Sequence, residues 1–408
     1  MSNVQAEAML GRGRLVSVDV LRGLVMVLMA LDHARYYFSG AHVSPEDMTA
    51  TNLPLFATRW VTHLCAPAFF FLTGLSIHLS RSRAAAGSTA RIAVLRGVWL
   101  IVLELTVVGF AWSFNPGHSI AGVIWCLGWA MIFVGVLSLA PHVVALAIGI
   151  AMIAAHNLLD PLRAADFGNA GWIWSLLHAP WVAHLPWDGD FVVLFPLIPW
   201  IGVAALGYGV GPLFSKDVGA RRRMLMKAGV AMLALFVVLR LTNAYGNPSQ
   251  PSIGGAMGDF VLPSGASFEY AVIGFLNVEK YPPSLQYLLM TLGVCALVLA
   301  IFQRYDGGRP LGPLGAVVRT FGLVPMMFYV CHLFVLHTLA LLTALISGQP
   351  HEWLGWNGDF PAGSPPTYGF GLPAVYLATA VALAILYFPC RGFARVKART
   401  RSWWTGFL

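Results

Sequence analysis

Charged residues are scarce in this sequence: Asp, Glu, Lys and Arg make up 10% of its 408 residues, against 58% hydrophobic residues. Soluble domains carry about 25% charged residues, so this composition excludes a soluble globular protein. The few charges are mainly positive, with a formal net charge of +8. In a soluble chain this excess would suggest nucleic-acid binding, but in a membrane protein it is the usual surplus of cytoplasmic Lys and Arg. We therefore predict a polytopic membrane protein that does not bind nucleic acid.

Other sequence features are missing too. The five cysteines have no paired spacing, so we expect buried thiols rather than disulfides or metal ligands. HExxH, G-x-S-x-G, GxGxxG and Walker sequences are all absent, and we predict no metal cofactor and no nucleotide fold. No small-residue cleavage site follows the first hydrophobic run, which is also too long for a signal peptide. That run is predicted to be a retained first helix.

Long hydrophobic runs are abundant. A membrane-spanning helix needs about 20 apolar residues, and this criterion predicts an all-α bundle of about ten spans. The predicted spans are 16–37, 61–79, 98–114, 120–139, 142–157, 190–212, 228–244, 284–302, 320–345 and 372–389. The whole chain, 1–408, is predicted to form a single transmembrane domain, with a cytoplasmic tail at 1–14 and a basic cytoplasmic tail at 390–408.

The distribution of Lys and Arg orients these spans. With the N-terminus in the cytoplasm, most of the 25 basic residues fall in cytoplasmic segments, from Arg12 at one end of the chain to Arg401 at the other. Only Arg59, Arg163 and Lys280 remain in outer loops. The positive-inside rule therefore predicts that both termini are cytoplasmic. The long outer connections, 38–60, 158–189, 245–283 and 346–371, are rich in Gly, Pro, Trp and Asn, as expected for loops that carry a site.

The first predicted span carries ionisable residues at both ends. Asp19 and Arg22 mark the cytoplasmic end, and Asp32, His33 and Arg35 mark the outer end. Ionisable residues inside a spanning helix are energetically unfavourable and usually indicate function. On an α-helix, Arg22 and His33 lie within about 20° of one face and about 16 Å apart along the axis. One face of this helix would thus present a cation near one membrane surface and a titratable base near the other.

Further ionisable residues occur in or beside the other spans. Arg59 and His63 are four residues apart, which places them on one helix face, and we expect them to meet the outer end of the first span. Asp32 is expected to pair with Arg35 or with a group on another helix, since neighbours such as Asp32 and His33 do not face each other. A histidine can act as a general base or nucleophile near neutral pH. The alternative for each histidine is an ordinary interfacial hydrogen bond, which we favour for His337 and His42.

Glu104 is predicted to lie in the middle of the third span. It is expected either to pair, with Arg240 as the proposed partner, or to be protonated as part of a proton relay. A structural ion pair is the favoured interpretation.

The sequence resembles a known family. Ser17-x-Asp19-x-x-Arg22-Gly23-Leu24 followed by Asp32-His33 is similar to the first helix of bacterial heparan-α-glucosaminide N-acetyltransferase-like membrane proteins. The Asp-x-x-Arg-Gly opening, with a His fourteen residues after the Asp, also resembles the type 3 membrane acyltransferases. Further similar segments are Ala66–Gly74, Ile120–Gly128, Phe195–Gly202, Lys280–Tyr287 and Gly322-x-x-Pro-x-x-x-Tyr329-x-x-His332.

This resemblance implies acyl transfer in a bacterial inner membrane. It implies that cytosolic acetyl-CoA donates its acetyl group to the amine or hydroxyl of an extracytoplasmic glycan, with an essential histidine. The catalytic candidates are His33, Asp32, His42 and His63. The candidates for contacting the acceptor or stabilising an oxyanion are Arg35, Arg59, Glu104, Arg240 and His332. The candidates for binding the phosphates of coenzyme A are Arg22, Asp19, Arg81, Arg83 and Arg96, because planar guanidinium groups suit phosphate.

Two departures from the family leave alternatives open. In the human lysosomal member an Asn stands in the place of His33 and the active histidine lies close to His42, so His33 and His42 compete for the catalytic role. Trp125-Cys126 stand where that enzyme has Gln-Arg, which leaves the acceptor open. Direct transfer and covalent relay through a histidine are both compatible with the sequence, and a homodimer is a possible assembly.

The sequence thus predicts a membrane acetyltransferase whose partners are the lipid bilayer, acetyl-CoA and a carbohydrate acceptor. The main alternative is a proton-coupled transporter or flippase that uses Glu104, Arg240 and His332. Pro196, Pro199 and Gly202 in the sixth span give this alternative some support, although such residues also serve packing.

Overall fold

A computed structural model describes residues 14–115, 120–178, 181–184, 190–248, 256–355 and 364–400. The basic residues Arg12 and Arg401, assigned above to the cytoplasmic tails, lie outside these ranges. The longer elements are α-helices: α1 (Val16–Phe38), α2 (Leu53–Thr62), α3 (Cys65–Arg81), α4 (Ala86–Leu103), α5 (Gly109–Ser113), α6 (Val123–Leu137), α7 (His142–Ala155), α8 (Gly171–Leu177), α9 (Leu197–Gly209), α10 (Val218–Thr242), α11 (Phe268–Leu276), α12 (Leu285–Asp306), α13 (Pro313–Leu323), α14 (Pro325–Ser347) and α15 (Leu372–Arg399). A π-helical turn, Glu104–Val108, joins α4 to α5, and short 3-10 segments cover His156–Leu159, Ala164–Ala170, Gly211–Ser215 and Glu352–Leu354.

Eight helical segments of the described chain are long and apolar enough to cross a bilayer. They are Leu53–Arg81, Ala86–Ser113, His142–Leu159, Leu197–Ser215, Val218–Thr242, Leu285–Asp306, Pro325–Ser347 and Leu372–Arg399. Two further helices match predicted spans: α1 has the length but carries ionisable residues, and α6 is apolar but has only 15 residues. The predicted all-α membrane bundle is confirmed.

Helix boundaries differ from the predicted spans at several basic flanks. Helix α4 begins at Ala86 rather than near 98, and α10 begins at Val218 rather than near 228. Helix α15 continues through Pro389 to Arg399, into the stretch predicted as a tail. Hydrophobicity marks only the part of a helix that suits the lipid core, whereas backbone hydrogen bonding continues into the polar flanks.

A small sheet accompanies the helices, which the all-α prediction did not include. Its central strand is β3 (Asp190–Val193), with β1 (Ile120–Ala121) parallel to it on one side and β2 (Trp181–His184) antiparallel on the other. Ile120 lies opposite Val192, and Trp181 lies opposite Val193. The sheet joins segments predicted as span ends and as an irregular loop, because strand pairing between distant residues leaves little local signal in an apolar sequence.

Helix α1 lies in the middle of the bundle. It packs against α2, α3, α12, α13, α14 and α15, and its apolar residues are largely buried. The contact with α13 is especially close: a Cβ at Gly23 would collide with the carbonyl of Val318, and one at Gly322 would collide with that of Asp19. Small residues allow such backbone contact between membrane helices. The two charged ends of α1 are therefore held in fixed positions by six neighbouring helices.

Candidate active site

The Arg22 end of α1 carries a buried ion network. Asp19, 2% exposed, pairs with Arg14 at 2.8 Å and with Arg22 at 3.4 Å, and Arg319 lies 4.0 Å away. Arg22 also donates to the Ser76 hydroxyl of α3 at 3.0 Å and to the Gly322 carbonyl of α13 at 3.4 Å. Arg22 is thus fixed between three helices, because carboxylate, hydroxyl and carbonyl acceptors surround its planar donors.

The first turn of α1 is capped from another helix. The Asp306 carboxylate, at the end of α12, accepts from the Ser17 backbone N–H at 3.0 Å and from the Ser17 hydroxyl at 2.6 Å. Arg221 pairs with the same carboxylate at 2.9 Å and hydrogen bonds Gln303. A negative group at a helix N-terminus satisfies free N–H groups and complements the helix dipole. This contact ties the Arg22 end of α1 to α10 and α12.

A cavity of about 510 Å³ opens beside this network. Five cations line it, namely Arg14, Arg22, Arg83, Arg96 and Lys397. Its lining has a single carboxylate, that of Asp19. Its remaining lining is mostly apolar and includes Trp99, Leu100, Met131 and Met326. A cavity with clustered cations at an apolar wall suits a ligand that has phosphates on one part and an aliphatic arm on another.

Four of the five residues predicted to bind coenzyme A line this cavity: Asp19, Arg22, Arg83 and Arg96. Arg81 does not line the cavity, although its guanidinium approaches the carbonyl of the lining residue Ala84 at 3.5 Å. Lys397 and Arg14 were not among the predicted residues, although both lie in the basic terminal regions. Lys397 reaches the cavity because α15 extends beyond its predicted end.

The His33 end of α1 is organised by Arg59. One guanidinium nitrogen of Arg59 lies 2.9 and 2.8 Å from the two Asp32 oxygens, and Arg35 donates to Asp32 at 3.3 Å. The expected meeting of α1 with the Arg59 helix and the expected pairing of Asp32 are therefore confirmed. Because its carboxylate is already occupied by two guanidinium groups, Asp32 holds the corner together rather than binding the neighbouring His33 ring.

Glu46 completes this corner from the loop between α1 and α2. Its carboxylate accepts from Arg59 Nε at 3.2 Å and from His63 Nε2 at 2.8 Å. Burial disfavours the charged form of Glu46, but the Arg59 charge and the His63 hydrogen bond outweigh it and hold the Glu46 pKa below its usual range. Arg59 and His63 are thus engaged by carboxylates, and the geometry gives both a structural role at this corner.

The corner is expected to weaken in acid. The pKa of Glu46 in the folded state is lower than its ordinary value of about 4.3. The ionised carboxylate therefore stabilises the fold fully above about pH 4.3, and this contribution is lost as the pH falls toward the folded-state pKa. We expect Glu46→Gln to lower Tm at pH 7, and the difference from the wild type to shrink below about pH 4. Thermal unfolding in detergent across this range tests it. A difference that stays constant with pH would contradict this role of the carboxylate.

His33 and His332 form a direct pair. His33 Nδ1 lies 2.6 Å from His332 Nε2, and the two rings are stacked with centroids 4.9 Å apart. The Trp112 ring contacts His33 edge-on with centroids 4.6 Å apart, and its indole donates to the Tyr329 hydroxyl. The two histidines are 299 positions apart in the sequence, yet the packing of α1 against α14 places them in contact.

The hydrogen bonds of this pair identify its free nitrogen. A carbonyl oxygen cannot donate, so His332 Nδ1, 3.1 Å from the Phe328 carbonyl, carries a proton. His332 is fully buried and no carboxylate contacts it within the described ranges, which favours a neutral ring with a lone pair on Nε2. His33 Nδ1–H donates to that lone pair. His33 Nε2 therefore carries an unprotonated lone pair on a partly exposed ring, as a base or nucleophile requires.

His42 has a different environment. It is exposed in the loop after α1, its Nε2–H donates to the Tyr368 carbonyl at 2.8 Å, and its Nδ1 lies 3.5 Å from the Ser364 hydroxyl. His337, for which an ordinary hydrogen bond was favoured, is buried with its ring nitrogens 3.0 and 2.9 Å from the Ala111 and Leu354 carbonyls. Of the histidines proposed as catalytic, His33, His42 and His63, His33 is the one held by another histidine.

The expected pairing of Glu104 with Arg240 is wrong. Arg240 donates instead to backbone carbonyls that fix the segment around α11, namely those of Phe275, Gly258, Gly274 and Asn277. Glu104 starts the π-helical turn, and its carboxylate faces the backbone N–H groups of Gly122, Ile124 and Trp125 at the start of α6, although its Oε2 has no hydrogen-bond partner among the described residues. The free N–H groups at the start of α6 therefore take the place of the cation that was expected beside Glu104.

Several residues at the His33 end were missed as site candidates. Glu46 and Lys280 were counted only as charges of outer loops, and Trp112 and Tyr329 only as apolar or motif residues. The Lys280–Tyr287 and Gly322–His332 segments did carry a signal, since both belong to the motifs on which the resemblance depends. Their proximity to His33 comes from tertiary packing. The described residues contain no group of three or more His, Cys, Asp or Glu arranged for a metal ion.

Comparison with known protein families identifies the family of this chain. The model of the heparan-alpha-glucosaminide N-acetyltransferase catalytic domain matches residues 14–242. The chain belongs to this family. The match begins at Arg14 in the cavity and ends at the last residue of α10, and it includes Arg22, His33 and Arg59. Comparison with curated proteins gives no match.

Membership in the heparan-alpha-glucosaminide N-acetyltransferase family implies a transmembrane acetyltransferase. The two ends of α1 must therefore be explained in terms of acetyl transfer. The resemblance drawn from the first-helix motif is thereby confirmed. His332 and Lys280 lie beyond the matched residues, in the part of the chain that packs against α1 from the other side.

Proposed function

We propose that this protein transfers the acetyl group of cytosolic acetyl-CoA across the membrane to the amine or hydroxyl of an extracytoplasmic sugar. One observation supports it most: α1 presents a cation-lined cavity at its Arg22 end and a histidine lone pair at its His33 end. The two positions are about 16 Å apart along the helix. A donor whose phosphates bind in the cavity can reach toward His33 only with an extended acyl arm, which acetyl-CoA has.

The topology in this proposal has ten spans, with both termini and the Arg22 end in the cytoplasm and the His33 end outside, in a bacterial inner membrane. The concentration of Lys and Arg around the cavity and at the flanks of α4, α10 and α15 supports this orientation by the positive-inside rule. The chain forms one membrane domain, since α1 packs against helices from both halves of the sequence.

In the proposed reaction, His33 Nε2 receives the proton of the acceptor amine or hydroxyl while the acceptor attacks the acetyl carbonyl carbon. The carbon–sulfur bond of the thioester then breaks, the electron pair leaves on sulfur, and His33 returns its proton to that thiolate. His332 holds His33 in the required tautomer through the 2.6 Å contact. Transfer through an acetyl-histidine intermediate uses the same lone pair, with His33 Nε2 attacking the acetyl carbonyl first.

The donor half of the proposal predicts a specific binding defect. Acetyl-CoA at 100 times its Kd should stabilise the purified protein by about 2.7 kcal/mol. We expect Arg22→Met and Arg83→Met to lose most of this thermal shift, because both cations line the cavity. His33→Ala should retain it, since His33 lies at the other end of α1.

The matched control is Arg222→Met, which removes an exposed cation of α10 outside the cavity lining and should leave the shift unchanged. A wild-type protein that acetyl-CoA does not stabilise would remove the donor from the proposal. An equal loss of the shift in Arg222→Met and Arg83→Met would show that general surface charge, not the cavity, attracts the ligand.

A further inference from the structure

Trp112 contacts the proposed base from a third helix. Its ring forms a T-shaped contact with His33, with centroids 4.6 Å apart and an interplanar angle of 66°. His332 stacks on the same imidazole with centroids 4.9 Å apart and an angle of 20°. His33 is therefore enclosed between a ring of α5 and a ring of α14, although the proposed reaction assigns a task only to the two histidines.

The backbone that carries Trp112 is fixed at the end of α5. The Trp112 carbonyl accepts the Tyr37 hydroxyl of α1 at 2.9 Å, and His337 Nδ1 of α14 lies 3.0 Å from the Ala111 carbonyl. Phe114, with a left-handed φ of 50°, stacks on the His337 ring with centroids 3.8 Å apart. These contacts satisfy carbonyls that a helix end leaves without partners. They also attach α5 to the two helices that carry the histidine pair.

The π-helical turn Glu104–Val108 sets the direction of Trp112. Helix α4, this turn and α5 form one continuous span, Ala86–Ser113, and Leu100 of α4 lines the cation-rich cavity. In an uninterrupted α-helix, Trp112 would point about 120° away from Leu100. A π turn adds about one residue, which turns the following residues back by about 100°. One face of this span thus lines the cavity and, further along, contacts His33.

The hydrogen bond to His332 does not fix the His33 ring by itself. It holds Nδ1 at 2.6 Å, but a ring attached by one hydrogen bond can still swing about that contact and move Nε2. The ring torsion of histidine has broad energy wells, so neighbouring atoms decide the angle. The Trp112 contact, at 4.6 Å, lies within the range at which aromatic pairs stabilise each other. It therefore blocks this swing.

A second connection links Trp112 to the histidine pair. Its indole donates to the Tyr329 hydroxyl, and the Tyr329 ring contacts His332 with centroids 5.4 Å apart. Trp112 thus touches His33 directly and reaches His332 through Tyr329. The four side chains form a closed circle of contacts between α1, α5 and α14.

This environment differs from that of a membrane-interface anchor. Trp and Tyr are enriched at membrane surfaces, where their rings lie among lipid headgroups. The Trp112 ring packs instead on three consecutive turns of contact with α1, since it also meets Tyr36 and Tyr37 with centroids 5.6 and 5.9 Å apart. Its partners are side chains of the site.

We infer that Trp112 is a positioning residue, whose ring holds His33 Nε2 in the direction from which it receives the acceptor proton. This role rests on the proposed function, because it acts through His33 and Trp112 exchanges no proton itself. Misplacing a reacting group by about 1 Å lowers a rate by about 10²-fold. Loss of Trp112 should therefore lower kcat, whereas donor binding at the other end of α1 should be retained.

The test compares Trp112→Leu and Trp112→Phe with wild type, using acetyl-CoA and glucosamine in detergent. We expect kcat to fall about 10²-fold in Trp112→Leu, with KM for acetyl-CoA changed less than about threefold. Trp112→Phe keeps a ring beside His33 and should stay within about tenfold of wild-type kcat. The matched control, Trp129→Leu, removes an indole of α6 that is 40% exposed and should leave kcat unchanged.

A double variant separates positioning from a general structural role. If Trp112 acts through His33, its loss has no further effect once the imidazole is absent, so Trp112→Leu with His33→Ala should have the residual kcat of His33→Ala alone. An additional loss of about 10²-fold in the double variant would overturn the inference, because Trp112 would then act independently of His33.

Thermal unfolding and the acetyl-CoA shift of each variant show that it is folded and binds the donor. A folded Trp112→Leu with kcat within about threefold of wild type would also overturn the inference. Should Trp112→Leu not fold, a loss in Trp112→Phe that disappears in the His33→Ala background would support it, and wild-type kcat in Trp112→Phe would overturn it. A wild-type protein that binds no acetyl-CoA and transfers no acetyl group would overturn the proposed function itself, which separates the two failures.

Discussion

Replacing His33 with Ala is expected to reduce acetyl transfer by a factor of about 10²–10⁴ while leaving acetyl-CoA binding intact. His33 Nε2 holds the lone pair that the reaction needs, because its Nδ1–H is committed to His332. No other described nitrogen at this end of α1 is both partly exposed and oriented by a second histidine. The measurement is kcat for N-acetylation of glucosamine by the purified protein, beside the thermal shift produced by acetyl-CoA.

His42→Ala is the matched control, because His42 is the alternative that the family resemblance left open. His42 is exposed in the loop after α1 and donates to the Tyr368 carbonyl, so we expect kcat to change less than about threefold. Full loss of activity in His42→Ala together with an active His33→Ala would assign the chemistry to the loop histidine and refute the mechanism proposed from the His33–His332 pair.

Arg59→Met is expected to destabilise the protein by about 3–5 kcal/mol, the usual effect of removing one partner of a buried ion pair. Arg59 is 7% exposed and contacts both Asp32 and Glu46. Without it, Asp32 retains only the 3.3 Å contact with Arg35, and Glu46 retains only His63. Denaturant or thermal unfolding in detergent at neutral pH measures the loss.

Arg163→Met is the control for this effect, since Arg163 is an exposed arginine in the connection between α7 and α8 and its removal should change stability by less than about 0.5 kcal/mol. Arg59→Lys keeps a charge but loses the branched donor geometry, so it should be intermediate. If Arg59→Met were as stable as Arg163→Met, the Asp32–Arg59–Glu46 corner would not hold the His33 end together.

Contacts that follow from helical periodicity or from unfavourable charges could be predicted from the sequence. The spacing of Arg22 and His33 along α1 came from helical periodicity. The pairing of Asp32 with Arg35 or with a group on another helix was expected because a charge in an apolar span must find a partner. Most spans could be located because hydrophobicity alone separates lipid-facing helices from loops.

Contacts that depend on how distant helices meet could not be predicted. His332 was recognised as a costly histidine, but nothing in its own segment indicates that it would meet His33. Glu104 was assigned to Arg240 because a carboxylate was expected to need a cation, whereas the free N–H groups at the start of α6 serve instead. Arg240 likewise satisfies its donors on four carbonyls. Backbone groups carry no sequence signature, so such partners remain invisible until the fold is known.

Sided transfer in reconstituted vesicles tests the central claim most directly. The protein would be inserted in one orientation, labelled acetyl-CoA supplied on the side of the Arg22 cavity, and glucosamine sealed on the side of His33. The account predicts labelled N-acetylglucosamine in the glucosamine compartment, abolished by His33→Ala and by Arg83→Met at limiting donor. Product that forms only when donor and acceptor share one compartment, or no product with either arrangement, would contradict transfer along α1.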